Sequence, residues 1–374
     1  MKMVMTIDGQ WGSTGKGLLN GYLAEVGECR EADTVVCNFG PNAGHTYFTL
    51  AGQRVMTCQI PTAGVVGPNV KAIMMGPGSI IDPPLLMSEW QTYVKAGRKV
   101  NLLIHERAAC VNRERHCAME RNLVNYISST CKGTGAAQVD KIMRDAAAVA
   151  SANPAVAEMC KTDTRIRVVG QFEWMSILGI SKFLMIESAQ GMELGVSTGS
   201  HYPFCTSRDI TVWQVMSDCG IPAYFGLPKV YVTLRTFPIR VGNAYDAEGA
   251  QVGFSGPVYN DQRELSWEEL GVPLERTTVT NKIRRVFTFS YIGFEKMVKM
   301  LNPNGVFLNF VNYLEDKPTF ITPATASMVN TIEAEYLKLC WDMRLHQLSM
   351  PLVRWVGVGP MATDVLARPE LEPL

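Results

Sequence analysis

The segment Asp8-Gly-Gln-Trp-Gly-Ser-Thr-Gly-Lys-Gly17 constrains this chain more than any other. The apolar run at residues 3–7 before it predicts a buried strand, and apolar residues after it recur at helical spacing. A strand, a glycine-rich turn and a helix N-terminus together present backbone N–H groups and the positive end of a helix dipole to an anion, usually phosphate. The sequence therefore predicts a phosphate-binding loop with Lys16 at its end.

The loop departs from the standard P-loop at two positions. A P-loop has a glycine five places before its Gly-Lys pair and a serine or threonine directly after it. Gln10 and Gly17 stand at those places, so the hydroxyl that holds magnesium in P-loop proteins is missing. A P-loop NTPase or kinase is therefore a remote alternative. A turn that binds nothing is a minority alternative, because four glycines cost stability that packing alone does not require.

Length and charge narrow the class of protein. With 374 residues the chain can bury a large core, and its 35 basic side chains balance 35 acidic ones. A balanced charge gives no reason to expect nucleic acid or an anionic membrane as partner. We see neither a signal peptide nor an apolar stretch of the ~20 residues that a spanning helix needs. The 10 cysteines are scattered without a Cys-x-x-Cys pair, as expected of reduced thiols in a cytoplasmic protein.

Short apolar runs alternate with amphipathic stretches along the chain. The predicted strands are residues 34–37, 72–75, 100–104, 183–186, 230–234, 306–310 and 352–356. The predicted helices are residues 84–96, 114–127, 210–219, 291–301 and 327–345, and residues 46–50 and 54–57 predict a hairpin. This order predicts an α/β fold with a large, mainly parallel central sheet, flanking helices and a P-loop-like glycine loop. Without a repeat or low-complexity linker, we expect one continuous domain over residues 1–374.

A second motif, Asn42-Ala-Gly-His-Thr46, follows the second predicted strand. Open α/β sheets place their ligands at this edge. A histidine in such a loop is, taken alone, as often structural as catalytic. Beside a phosphate-binding loop the catalytic interpretation of this histidine becomes stronger, because an imidazole can donate to the oxygens of a transferring phosphoryl group.

The string Gly9-Gln-Trp-Gly-x-x-Gly-Lys-Gly17 resembles the opening of adenylosuccinate synthetases, and the string from Asn42 to Thr46 fits their second signature. Those enzymes join L-aspartate to carbon 6 of a purine nucleotide at the expense of a nucleoside triphosphate. The resemblance implies Mg²⁺ as cofactor and a homodimer with shared active sites. It also implies that His45 stabilises the phosphoryl group, Asn42 contacts the acceptor nucleotide, and the Gly44 carbonyl helps to hold Mg²⁺.

The resemblance extends to two further segments. The loop at residues 127–135 precedes a predicted helix at residues 136–150, and its small residues suit a phosphate. Thr130 matches a residue on the nucleotide 5′-phosphate, and Arg144 matches an arginine that reaches this phosphate from the other subunit. Gln190 and Thr206 match residues that hold the acceptor nucleotide; without the resemblance we would read both as ordinary buried polar residues.

The hydroxyls and cations of residues 277–285 are suited to a dicarboxylate. A short basic run is usually solvated surface, but this one matches the family's aspartate loop. The implied aspartate-binding residues are Val279, Thr280, Lys282 and Arg284. Lys282 stands where the family has an arginine near the ribose, so it also belongs to the acceptor-nucleotide residues.

The segment Asn309-Phe-Val-Asn312 stands where the family has Thr-Lys-x-Asp. In the family, the aspartate of that motif binds the guanine base of the donor nucleotide. An amide in place of that carboxylate removes about 1.5–3 kcal/mol of guanine preference per charged hydrogen bond. Gly357 and Gly359 match a closing segment that packs beside this base. The donor is therefore expected to be ATP or dATP. Its implied contacts are Gly12, Ser13, Thr14, Gly15, Lys16, Gly17, Gly44, His45, Thr46, Asn309, Asn312, Gly357 and Gly359.

Ser13 is the conspicuous departure from the family, which has an aspartate there. That aspartate takes the N1 proton of inosine monophosphate and ligates Mg²⁺. A serine hydroxyl is a poor base at neutral pH, because the pKa of the hydroxyl lies far above neutral pH. A smaller hydroxyl, however, leaves room for the 2-amino group that guanine carries beside N1.

The chain has a serine at position 13 and lacks the carboxylate that binds guanine of the donor. In both respects it resembles a phage-type subfamily. That subfamily uses dGMP as acceptor and makes 2-aminoadenylosuccinate for DNA containing 2-aminoadenine. We therefore expect a ligase in the host cytoplasm whose substrates are dGMP, L-aspartate and ATP or dATP. Ser13, Lys16 and His45 are its expected catalytic residues, with Ser13 and Gly44 on the metal. Two alternatives stay open: an ordinary adenylosuccinate synthetase using IMP and GTP, and a catalytically inactive nucleotide-binding module.

Overall fold

The computed structural model describes residues 1–94, 98–277, 281–343 and 350–368. The strands are β1 (Lys2–Asp8), β2 (Thr34–Cys37), β3 (His45–Phe48), β4 (Arg54–Thr57), β5 (Ala72–Met75), β6 (Ile80–Ile81), β7 (Asn101–His105), β8 (Ala109–Cys110), β9 (Ile166–Val169), β10 (Phe183–Gly191), β11 (Lys229–Arg235), β12 (Ile239–Arg240), β13 (Ala244–Tyr245), β14 (Gln251–Gly253), β15 (Glu264–Leu265), β16 (Arg285–Phe287), β17 (Gly305–Asn309), β18 (Val353–Gly357) and β19 (Val365–Ala367). The helices are α1 (Lys16–Glu25), α2 (Thr62–Val66), α3 (Pro83–Tyr93), α4 (Arg113–Ile127), α5 (Thr134–Ile142), α6 (Pro154–Thr162), α7 (Gln171–Ile180), α8 (Val212–Asp218), α9 (Trp267–Leu270), α10 (Tyr291–Leu301) and α11 (Pro323–Asp342).

A 10-stranded sheet runs through the molecule in the order β19-β18-β17-β11-β1-β10-β2-β5-β7-β9. Its neighbouring strands pair in parallel except β18 and β19, which are antiparallel. Central strands such as β1 are buried on both faces, and a large apolar cluster packs against each face of the sheet. Continuous apolar strands covered by helices are typical of parallel sheets. The predicted α/β fold is therefore confirmed.

Most predicted elements are present within four residues of the expected bounds, including the hairpin β3–β4, whereas β10 runs five residues beyond its predicted end. The helix predicted over residues 136–150 is wrong. It is α5, which ends at Ile142, because Arg144 adopts a positive φ of 65° and Asp145 then caps a short 3-10 turn. The strand β9 and the helices α6 and α7 were not predicted. No helix in the described ranges is both long and apolar enough to cross a membrane.

Five neighbouring strands, β17, β11, β1, β10 and β2, end at one edge of the sheet. Their carboxyl ends lead into the glycine loop, the loop before His45, and the segments that begin at Gln190, Arg235 and Asn309. Parallel strands in this order therefore collect residues from distant parts of the sequence, as expected for ligand sites of α/β sheets.

Candidate functional site

The carboxylate of Asp8 shapes the glycine loop. It is fully buried at the end of β1 and accepts hydrogen bonds from the backbone N–H of Gln10 (2.9 Å) and of Gly12 (3.3 Å). It also accepts from the Thr14 hydroxyl (2.5 Å) and from the ammonium of Lys16 (3.1 Å). One buried carboxylate thus fixes both the curve of the loop and the side chain at its end.

Asn309 holds the loop from the other side. Its amide donates to the Thr14 carbonyl (3.2 Å), and its side chain is 4% exposed. A Cβ on Gly15, which has a φ of +94°, or on Gly357 would collide with this amide, so both positions need glycine. Asn312 instead is exposed and lines the cleft described below. That either asparagine reads the donor base stays a prediction.

Gly17 explains why the P-loop hydroxyl is missing. A Cβ at this position would lie 2.8 Å from the carbonyl oxygen and 2.9 Å from the nitrogen of Thr46. The start of α1 therefore packs directly on the backbone of β3, and a serine or threonine has no room. This close approach brings Lys16 and His45 to the same site.

His45 is poised as a neutral donor. Its ring stacks on Phe39 with centroids 4.4 Å apart and is 5% exposed. Burial, and secondarily the nearby Lys16, lowers the pKa of His45 to about 3. Its Nε2 is buried without a hydrogen-bond partner among the described residues. Lys16 donates to the Gln190 carbonyl (2.8 Å), and the Gln190 amide nitrogen is likewise buried and unpaired.

These residues border a cleft of about 900 Å³. The predicted site residues that line it are Gly12, Ser13, Thr14, Gly15, Lys16, Gly17, Asn42, Gly44, His45, Thr46, Thr130, Gln190, Thr206, Arg284, Asn309, Asn312 and Gly359. Arg144, Lys282 and Gly357 do not line it. The Lys282 ammonium is buried without a partner among the described residues, and burial lowers its pKa. Val279 and Thr280 lie outside the described residues.

The start of α5 does not offer its amides to a phosphate. Glu120, which lines the cleft, accepts hydrogen bonds from the backbone N–H of Gly133 (2.7 Å), Gly135 (2.7 Å) and Ala136 (3.1 Å). These three amides are therefore already hydrogen-bonded within the chain. Thr130 remains in the cleft as the predicted phosphate contact. Arg144 follows α5 and is exposed to solvent.

Ser13 stands between two arginines. It adopts a φ of 56°, its hydroxyl accepts a hydrogen bond from Arg284, and its carbonyl accepts one from Arg235 (3.2 Å). Burial lowers the pKa of Arg284 to about 10, so its guanidinium stays charged at neutral pH. The wall of the cleft at Ser13 is therefore cationic.

Glu275 joins the two arginines. It makes a bidentate ion pair with the fully buried Arg235, lies 3.8 Å from Nε of Arg284 and accepts a hydrogen bond from the Tyr313 hydroxyl (2.8 Å). Burial raises the pKa of Glu275, but Arg235, Tyr313 and Arg284 together lower it by more, so the net pKa lies below the usual value. The carboxylate is ionised at neutral pH.

The oxygen ligands that Mg²⁺ prefers are few in this cleft. Among the described residues, no three His, Cys, Asp or Glu side chains are grouped to hold a metal ion. Gly44 is exposed and lines the cleft, so its carbonyl fits the role that the family implies. Ser13 fits poorly, because its hydroxyl already faces the Arg284 guanidinium. The expected Ser13 metal contact is at odds with this geometry.

Sequence reasoning missed several residues of the site. Arg235, Glu275, Tyr313, Glu120 and Arg240 all line the cleft. Arg235 ends β11 at the ligand edge, a position that could have marked it. The others carry no local signal, because their partners are distant in sequence.

The chain is similar to known proteins over nearly its whole length. Residues 5–167 match the family described as Adenylosuccinate synthetase. The N6-succino-2-amino-2'-deoxyadenylate synthase of Salmonella phage PMBT28 is 37% identical over 377 residues, covering 97% of each chain. That of Vibrio phage phiVC8 is 38% identical over 371 residues, covering 98% of each.

A solved structure has a similar fold. The succinoaminodeoxyadenylate synthetase (PurZ) of cyanophage S-2L, bound to dGMP and to dATP as an energy donor, superposes with a TM-score of 0.80 at 32% identity. The match covers 98% of this chain and 95% of that one. The glycine loop, the His45 motif and these similarities agree. The chain belongs to the adenylosuccinate synthetase family.

Proposed function

We propose that this protein joins L-aspartate to carbon 6 of dGMP, with ATP or dATP as phosphoryl donor, and forms N6-succino-2-amino-2'-deoxyadenylate. The observation that carries the proposal is Ser13, an uncharged hydroxyl on a cationic wall of the cleft where the family resemblance implies a carboxylate. An aspartate there would crowd the 2-amino group of guanine. The phage relatives named for this product, and the PurZ structure bound to dGMP and dATP, support the proposal.

The first step transfers the γ-phosphoryl group of the donor to O6 of dGMP. The Lys16 ammonium and the amides of the glycine loop bind the phosphates, and the unpaired Nε2 of neutral His45 donates to the oxygens of the group in transfer. Such donors act without reorganising, because Asp8 and Phe39 already hold the two side chains.

In the second step the amine of L-aspartate attacks carbon 6, the C6–O6 bond breaks, and phosphate leaves carbon 6 carrying O6. Arg284 presents a guanidinium to the cleft and suits one carboxylate of the substrate as a bidentate donor. The other predicted contacts remain Val279, Thr280 and Lys282.

The family uses Mg²⁺, which neutralises charge on the triphosphate during transfer. In this chain the Gly44 carbonyl would hold it together with phosphate oxygens. We leave Ser13 out of the metal site, because a guanidinium donates to its hydroxyl.

A homodimer with shared sites is part of the proposal. Arg144 lies outside its own cleft, next to the exposed apolar side chains of Ile142 and Met143. Exposed apolar side chains of this kind suit a surface that packs against a second subunit. Arg144 would then reach the acceptor phosphate of the partner subunit. The relatives are phage proteins, so we place the reaction in the cytoplasm of an infected host.

Phosphate release and product formation, measured with each substrate omitted in turn, test the proposal. We expect release and N6-succino-2-amino-2'-deoxyadenylate only when dGMP, L-aspartate, ATP and Mg²⁺ are all present. Phosphate release without aspartate and dGMP would indicate an NTPase. Nucleotide binding without release under any combination of acceptor and donor would indicate an inactive module.

A further inference from the structure

The carboxylate of Glu275 is placed to control how Arg284 faces the cleft. Both Glu275 oxygens contact the fully buried Arg235, and Oε1 also accepts from the Tyr313 hydroxyl. Three donors on two other segments therefore fix this carboxylate. Its Oε2 lies 3.8 Å from Nε of Arg284.

The guanidinium of Arg284 is held at two of its nitrogens. Its Nε donates to the Arg276 carbonyl (3.2 Å) and faces Glu275, whereas Nη1 donates to the Ser13 hydroxyl. A guanidinium is planar, so fixing Nε and Nη1 sets the direction of the whole fork. Arg284 lines the cleft, so part of its side chain borders the space where a ligand would lie.

The charges of this cluster are unbalanced. Arg235 and Arg284 are both at most 12% exposed, and Glu275 is the carboxylate that they share. One net positive charge therefore faces the cleft beside Ser13. Buried charge of this kind is stabilised by an anionic partner, and a guanidinium fork matches a carboxylate best.

We propose that Glu275 is a positioning residue for L-aspartate, which acts by orienting Arg284. The proposal rests on the proposed function only for the identity of the substrate. Glu275 is not the acceptor of the purine N1 proton, because both of its oxygens already accept hydrogen bonds from Arg235. Its effect is on where the substrate carboxylate binds, and hence on the approach of the amine to carbon 6.

A double-mutant cycle in kcat/KM for L-aspartate tests this role. We expect Glu275→Gln to lower this value by about 10²-fold, since a misplaced binding group of this kind costs roughly that much. The KM for dGMP and for ATP should change little. In the Arg284→Ala background, Glu275→Gln should cause no further loss, because residues that act through one another are not additive.

Glu264→Gln is the matched control. Glu264 pairs with the next arginine, Arg285, but is 48% exposed and does not line the cleft. It should leave all three kinetic parameters unchanged. Glu275→Asp, which keeps the charge, should recover part of the aspartate kcat/KM. If Glu275→Gln does not fold, the same cycle with Glu275→Asp carries the test.

Two results would overturn the proposal: equal losses for all three substrates, or additive losses in the cycle. Either would make Glu275 a structural partner of Arg235 alone. Native protein that makes no product from dGMP would instead refute the proposed function. In that case aspartate binding to the native protein and to Glu275→Gln, measured by calorimetry with ATP present, still decides the role of Glu275.

Discussion

The hydroxyl of Ser13 accepts a hydrogen bond from the guanidinium of Arg284. The two residues are 271 positions apart in sequence and meet because the loop after β1 and the segment before β16 border the same cleft. The acceptor purine is therefore expected to meet a neutral hydroxyl backed by a cation, where the family resemblance implies a carboxylate.

Restoring the carboxylate with Ser13→Asp should weaken the use of dGMP. The new side chain would pair with Arg284 and fill the space expected for the 2-amino group. We predict that kcat/KM for dGMP falls at least about tenfold, equivalent to 1.4 kcal/mol. Steady-state kinetics measure this, with Ser327→Asp on the exposed face of α11 as the control. Improved dGMP turnover in Ser13→Asp would contradict the steric argument.

His45→Ala should lower kcat by about 10²-fold or more, as for the loss of one preorganised donor to a transition state. The KM for ATP should change less, because Lys16 and the loop amides still bind the phosphates. Single-turnover phosphate transfer measures the effect. An unchanged rate would remove His45 from the chemistry.

The pH profile gives a second check on His45. Its pKa is lowered to about 3, so its imidazole stays neutral at every pH from about 5 upwards, and lowering the pH towards 5 does not protonate it. The logarithm of kcat should show no inflection near pH 6.5 from this residue. His45→Ala should lower the profile without changing its shape. An inflection that disappears in the variant would show that His45 titrates.

Asn312→Asp should move the donor preference towards GTP. An exposed carboxylate at this position can accept from guanine N1–H and the 2-amino group, and each charged hydrogen bond contributes about 1.5–3 kcal/mol. The ratio of kcat/KM for GTP and ATP measures the change, which we expect to be at least about tenfold. Asn309→Asp is the matched control, because its amide donates to the Thr14 carbonyl. It should weaken both donors alike.

Mixing two inactive variants tests the shared site. Lys16→Ala disables the cleft of its own subunit, and Arg144→Ala is expected to disable the cleft of its partner. A refolded equimolar mixture should regain about one quarter of the native activity, because half of the dimers are then heterodimers with one intact site each. A mixture as inactive as its components would show that Arg144 does not complete the site of its partner.

The glycine loop was predictable because its determinants are local. Asp8 and Lys16 lie eight positions apart, and their spacing around the glycines follows from a strand that turns into a helix. The edge that carries His45 and Gln190 was predictable from the alternation of strands and helices. The helix at residues 136–150 was not: alanine-rich sequence favours a long helix, but the positive φ of Arg144 interrupts it.

The cationic wall could not be predicted from the sequence. Arg235 contacts Ser13 from 222 residues away, and Glu275 lies 40 residues beyond Arg235. Neither residue belongs to a motif, and only the order of the strands brings them together. Likewise, nothing local showed that Glu120 would occupy the amides of α5.

The most direct measurement is product formation with each acceptor paired with each donor, dGMP or IMP with ATP or GTP, at saturating L-aspartate. The account predicts N6-succino-2-amino-2'-deoxyadenylate from dGMP with ATP, and far less product from IMP or with GTP. Turnover only with IMP and GTP would contradict it.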